Sequence, residues 1–170
     1  MVVKSKAKSM LYFTIGVIVL ILLDQVTKQA AQNLLQEKSA FPIIPGVFEL
    51  QYLENRGSAF GMLQGKRSLF IVMAGFMLFF IPYVYYKIPL TKRFVYLRVI
   101  AVLFLAGAVG NAVDRVVHGY VIDFFYFSLI DFPIFNVADI YVTVSTFLLI
   151  VLILFYYRDE DFEQIHIFSK

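Results

Sequence analysis

The sequence predicts an α-helical polytopic membrane protein with four transmembrane helices, on three observations. Of its 170 residues, 61% are hydrophobic and 16% charged. Its mean hydropathy is +0.79. The apolar residues gather in runs near 18 residues or longer, about what a helix needs to cross the hydrocarbon core. The length suits a single membrane-embedded unit over residues 1–170, with no room for a separate soluble domain. Cysteine is absent, which excludes disulfides, thiolate metal sites and cysteine nucleophiles. His118 and His166 lie far apart and show no metal-ligand spacing. Basic residues flank the apolar runs and form no stripe, so nucleic acid is not suggested.

The first span is expected over about residues 9–32. Lys4, Lys6 and Lys8 precede it, and a basic start before an apolar core also resembles a cleaved leader. Against cleavage, Asp24 and Lys28 follow at once and no clean A-x-A pattern is present. A helix that stays fits better. Asp24 and Lys28 are i,i+4 neighbours on it, either a solvated pair at the helix end or a brace for a site at the membrane surface.

Residues 33–67 break the pattern. Pro42, Pro45 and Gly46 oppose a membrane helix. Phe48, Leu50 and Tyr52 alternate with Glu49, Gln51 and Leu53, a partial period of two that suits a short strand on the membrane surface. The run Asn55-Arg56-Gly57-Ser58-Ala59-Phe60-Gly61 permits close backbone approach or positive φ angles. There the Asn55 amide could hydrogen-bond a substrate backbone. As a bare pattern it could equally be a turn.

Spans two to four are expected over about 68–86, 99–117 and 136–157, with a basic loop from Lys87 to Arg98 and a polar tail beginning at Arg158. Four spans put both termini on one side, with Lys4, Lys6, Lys8, Lys87, Lys92, Arg93 and Arg98. The positive-inside rule makes that side cytoplasmic. Residues 33–67 and 118–135 then lie outside, although Lys38, Arg56, Lys66 and Arg67 go with them.

Polarity concentrates between spans three and four. Gly107, Asn111, Asp114 and Arg115 recur on one face of the third helix; Asn136, Asp139, Thr143 and Thr146 recur on one face of the fourth. Gly107 and Gly110 allow a neighbouring helix to approach closely. Asp114 and Arg115 are adjacent, about 100° apart on a helix, so each is expected to pair elsewhere. Gly119 lets the chain turn back, and Asn136 could cap the fourth helix. Asp123 and Asp139 can thereby meet near the outer membrane surface.

An ionisable group at membrane depth is a functional-site hypothesis by default. Two carboxyl groups in one poorly solvated site cannot both ionise, so they share a proton. That pair suits amide hydrolysis by activated water. The sequence contains no HExxH and no G-x-S-x-G motif. From spacing alone, a cation or proton path through a small transporter and purely structural roles both stay open.

Four of these stretches together resemble the type II, or lipoprotein, signal peptidases of bacteria. They are Leu23-Asp24-Gln25-Val26-Thr27-Lys28, Glu54 to Gly61 (ENRGSAFG), Gly107 to Phe124 (GAVGNAVDRVVHGYVIDF) and Phe132 to Asp139 (FPIFNVAD). Ser58 departs from the family's usual alanine, a small-for-small change. The resemblance implies four transmembrane helices, a small extracytoplasmic β-sheet, and a loop or helix over the active site. It implies a cofactor-free, metal-free aspartyl endopeptidase in the bacterial cytoplasmic membrane. Its substrate would be a prolipoprotein whose cysteine carries diacylglycerol, cut just before that cysteine. The catalytic pair maps onto Asp123 and Asp139. Asp24, Lys28, Asn55, Gly57, Asn111, Asp114, Arg115 and Asn136 match supporting or substrate-contact positions. Globomycin-type cyclic peptides would be inhibitors. Exposed aromatics such as Phe41, Phe48, Phe60 and Phe132 would anchor at the interface or grip lipid.

Overall fold

The computed structural model describes residues 5–57 and 66–165. The chain runs α1 (Lys6–Leu35), β1 (Phe41–Ile44), β2 (Phe48–Asn55), α2 (Arg67–Lys87), α3 (Val95–Val117), β3 (Val121–Tyr126), α4 (Val137–Phe155) and α5 (Asp159–Glu163). Single 3-10 turns at Lys92–Phe94 and Ser128–Ile130 lead into α3 and out of β3. Four helices are long and apolar enough to cross a membrane. Their outward surfaces support this: Val72, Phe76 and Phe79 on α2, and Phe147, Leu154 and Phe155 on α4, are exposed. On a water-soluble protein such a continuous apolar surface would drive association.

α3 is the axis of the bundle. It packs against α1, α2 and α4, and Leu105 and Ala106 at its middle are almost fully buried. Glycine sets how close the neighbours come. A methyl group added at Gly107 would lie 2.5 Å from the Ala138 carbonyl oxygen and 2.7 Å from Val142 Cγ2. One added at Gly110 would lie 2.8 Å from Asp24 Oδ2. Backbone thus meets backbone where α3 and α4 cross, the small-residue device of membrane helices. Gly119 turns the chain from α3 into β3 at φ +86°, in the left-handed region that other residues rarely adopt.

β1, β2 and β3 form one antiparallel sheet in that order, with Leu53 opposite Asp123 and Asn55 opposite Val121. Phe135 adds a bridge to Phe125 just before α4 begins, its N–H and C=O both bonded to the Phe125 backbone at 3.0 and 2.8 Å. The sheet therefore fixes where the fourth helix starts.

Three expectations need correction. α3 begins at Val95, so Arg98 lies within the helix and is buried, not in a basic loop. Its guanidinium donates to the Pro89 and Thr91 carbonyls at 2.5 and 3.3 Å, and those bonds let the helix start ahead of a charge. The tail after Arg158 is not simply polar: α5 folds back, Ile165 joins a buried cluster with Ile88, Phe94, Leu97 and Tyr157, and Asp161 pairs with Arg93. Phe48 is half-buried in a ring cluster with Phe125 and Phe127, at 5.9 and 4.9 Å, so it holds the sheet together. Phe41 and Phe132 are exposed, as an interfacial role needs. Phe60, with Ser58 to Gly61, lies outside the described residues, as do His166 and Lys4.

Candidate active site

The fourth helix opens on a reciprocal cap. The Asn136 side-chain oxygen accepts the Asp139 N–H at 2.9 Å, and Asp139 Oδ2 accepts the Asn136 N–H at 3.2 Å. This satisfies two amides that a helix start leaves without partners, and it locks the Asp139 carboxyl at the helix end. With its oxygen used, Asn136 turns its Nδ2 outward and donates to Asp123 Oδ1 at 2.6 Å. Asp123 comes from β3, and Asn55, beside it on the same face of β2, donates to its Oδ2 at 2.8 Å. The Asn55 oxygen accepts the Gly57 N–H at 2.9 Å, which fixes that amide's orientation as well. Asn111 of α3 donates to Asp139 Oδ1 at 2.7 Å. Each of the four carboxylate oxygens therefore meets one N–H donor.

Behind this layer lies a buried ion cluster. Lys28 Nζ is 2.8 Å from Asp24 Oδ2 and 3.0 Å from Asp114 Oδ2, with all three side chains at most 2% exposed. The ammonium also donates to Asn111 Oδ1 at 2.9 Å. Asp24 Oδ1 accepts the Ala138 N–H at 2.9 Å, and Asp114 Oδ2 accepts the Ile122 N–H at 3.2 Å. The cluster therefore ties α1 to the start of α4 and α3 to β3. Asp24 and Lys28 are thus a brace, and the solvated-pair alternative falls.

Asp123 and Asp139 line one cavity of about 610 Å³ between α2, α3, α4 and the sheet. Most of its wall is apolar, including Phe70, Met73, Met77, Phe104, Val142 and Val144. Arg115 stands at its edge, its guanidinium over the Phe70 ring at 4.3 Å and donating to the Gly57 carbonyl at 2.9 Å. Burial is the main reason the Asp123 carboxyl is pushed up to about 7, and the neighbouring Asp139 adds to it; the Asn55 and Asn136 amides pull the other way. Near neutral pH this carboxyl can hold or release a proton, as acid–base chemistry requires. Among the described residues, no three His, Asp or Glu side chains converge as metal ligands.

Residues 16–155 match the family model described as signal peptidase (SPase) II. The chain belongs to the signal peptidase II family. The lipoprotein signal peptidase of Clostridioides difficile (strain 630) is 42% identical over 147 residues, covering 86% of this chain and 97% of that protein. The lipoprotein signal peptidase of Symbiobacterium thermophilum is 46% identical over 134 residues, covering 78% and 87%. A structure described as a bacterial membrane enzyme, solved by the in meso method at 2.3 Å resolution, superposes with a TM-score of 0.73 at 31% identity. It covers 84% of this chain and 87% of that one. A second, at 1.9 Å resolution, gives 0.72 at 30% identity.

The signal peptidase II family is a protease family, and the described residues of the four motifs converge on one place. Asp123, Asp139, Asn55, Asn111 and Asn136 form the inner layer. Asp24, Lys28 and Asp114 form the cluster behind it, and Arg115 holds Gly57. Asp114 and Arg115 diverge as their adjacency predicts, Asp114 toward α1 and the start of β3, Arg115 toward Gly57 and Phe70 of α2. Asn55 supports the carboxylate, donating one N–H to Asp123 and accepting the Gly57 N–H. Gln25 escaped the sequence reading: its Nε2 donates to Asp114 Oδ1 at 2.8 Å and to the Gly110 carbonyl at 3.2 Å. Its place between Asp24 and Lys28 in the first motif was the available signal.

Proposed function

We propose that the protein is an aspartyl endopeptidase that removes signal peptides from diacylglyceryl-modified prolipoproteins, cleaving before the lipidated cysteine. The observation that carries this reading is the placement of Asp123 and Asp139 on one apolar cavity, with amide donors on all four carboxylate oxygens. A signal peptide is itself a short apolar helix, and a diacylglyceryl cysteine lies at a membrane surface. A mostly apolar cavity beside a polar rim fits both.

Asp123 and Asp139 would share one proton and act as a pair. The ionised carboxylate takes a proton from water as the oxygen attacks the scissile carbonyl carbon. The carbonyl π electrons move to oxygen, which takes the proton of the protonated partner, giving a gem-diol. On collapse the C–N bond breaks and the leaving nitrogen takes the proton first removed from water. The partner recovers its own proton from a gem-diol hydroxyl. One water is consumed and the pair returns to its starting state, with no cofactor in the sequence of steps. Asn55, Asn111 and Asn136 hold the carboxylates in place, and Arg115 with Gly57 shapes the approach of substrate.

The charge placement supports a cytoplasmic-membrane enzyme with both termini inside and the site near the outer face. Globomycin-type cyclic peptides would compete for the cavity. The test offers purified protein in detergent a diacylglyceryl-modified prolipoprotein and the same chain without lipid. Release of the signal peptide only from the modified chain, with the new N-terminus at the lipidated cysteine by mass spectrometry, is expected. No cleavage, together with proton or cation flux in liposomes, would replace this reading with a transporter.

A further inference from the structure

Resting on that reading, we infer that Lys28 is a positioning residue which, acting through Asn111, keeps Asp139 as the ionised member of the pair and leaves the shared proton on Asp123. Lys28 does not touch the reacting atoms. An ammonium can only donate, so its 2.9 Å bond to Asn111 Oδ1 turns that oxygen toward α1. Asn136 Nδ2 donates to the same oxygen at 3.1 Å. Asn111 can then present only its N–H to Asp139, and the nearby cation polarises that donor.

The two carboxyls are therefore not equivalent. Asp139 accepts an amide backed by a cation and a backbone N–H at the start of α4, where the helix dipole favours negative charge. Asp123 accepts two neutral side-chain amides and lies on a strand, which offers little net dipole. It is also the more enclosed, at 1% exposure. The charges facing the pair are Asp24 and Lys28 from α1, and Asp114 and Arg115 from α3. With both dyad carboxyls ionised, four carboxylates would face two cations in one buried cluster. One proton relieves this, and it belongs on the carboxyl without the cation-backed donor. In the reaction, Asp139 then takes the proton from water and Asp123 delivers its proton to the carbonyl oxygen.

Infrared difference spectroscopy reads this directly. At pH 6 the protonated-carboxyl C=O band, referenced to the double variant, should vanish in Asp123→Asn and persist in Asp139→Asn. The reverse would overturn the assignment. For Lys28, the variant Lys28→Met/Asp114→Asn removes one charge of each sign. Its acid limb of kcat/KM should move up by about one pH unit or more, a loss of about tenfold on that limb over and above any change in the plateau. Lys28→Arg should restore most of the wild-type profile. A uniform loss at every pH in a folded variant would make Lys28 merely structural. The infrared arm needs no Lys28 variant and no turnover, so cleavage with the band on the wrong aspartate sinks only this inference. Absence of cleavage sinks the proteolytic reading separately.

Discussion

Replacing Gly107 with alanine asks whether the crossing of α3 and α4 sets the geometry of the site. The new methyl would lie 2.5 Å from the Ala138 carbonyl oxygen and 2.7 Å from Val142 Cγ2. An ordinary C···O contact runs to about 3.3 Å, so α4 has to retreat by roughly 0.8 Å. The oxygen is backbone, so no side chain can swing aside. Overpacking of this kind costs about 1–3 kcal/mol. Ala138 precedes Asp139, so the same retreat carries Asp139 away from Asn111 and Asp123. A misplacement near 1 Å can cost on the order of 100-fold in rate. The assay pairs thermal unfolding in detergent with cleavage of lipid-modified prolipoprotein. Gly75 of α2, which has nothing within 4 Å of an added methyl, is the internal control. Gly75→Ala should be neutral or stabilising by up to about 1 kcal/mol, because alanine favours the helix. If Gly107→Ala matched Gly75→Ala in stability and turnover, the close crossing would not govern the site.

Lys28→Met should destabilise by about 3–5 kcal/mol, since it leaves Asp24 and Asp114 buried without their cation; a loss below about 1 kcal/mol in thermal unfolding would contradict the brace. Asp123 supplies a pH test of stability. Its folded carboxyl is raised to about 7, so the native state binds more protons than the unfolded one between the ordinary 3.8 and 7. Wild-type stability should fall as pH rises through that window, whereas Asp123→Asn cannot titrate there. The asparagine carries a constant penalty, since its NH₂ must face a donor amide. The balance should nonetheless swing toward the variant by up to about 4 kcal/mol between pH 4 and pH 8; a difference independent of pH would refute the burial argument. In α5, the Arg93 guanidinium beside Asp161 is the main reason its carboxyl is held down to about 2. A lowered carboxyl gives stability above the ordinary value that is lost as pH falls. Asp161→Asn should therefore unfold at a lower temperature than wild type at pH 7, with the gap closing as pH falls from about 4 toward 2.

The bundle was legible because membrane spans are written in long apolar runs, and the four helices lie within a few residues of where those runs place them. Asn136 was legible as a helix cap, and Asp139 as a residue on the inner face of that helix end, because a capping asparagine and helical spacing are local features; the return bond from Asp139 to the Asn136 N–H was not. Asp123 was placed by Gly119 and by its motif, both of which act over a few residues. The buried cluster was harder to see. Asp24 and Lys28 look like a solvated i,i+4 pair until Asp114 arrives from another helix, and burial depends on that third partner. Gln25 reads as an ordinary polar residue for the same reason. Arg98 and Asp161 were misplaced because their partners, the Pro89 and Thr91 carbonyls and Arg93, are brought together by folding and not by pattern. Phe48 was assigned to the interface because an aromatic on a surface strand gives no sign of the ring cluster waiting for it.

The central claim is that Asp123 and Asp139 act together on water. The most direct measurement is turnover of a diacylglyceryl-modified prolipoprotein by wild type, Asp123→Asn and Asp139→Asn, each shown to be folded by its unfolding temperature. Loss of positioned acid–base chemistry should reduce kcat by about 10²–10⁴ in each variant. If either folded variant turned over near the wild-type rate, that aspartate would have no part in the chemistry and the paired mechanism would fail.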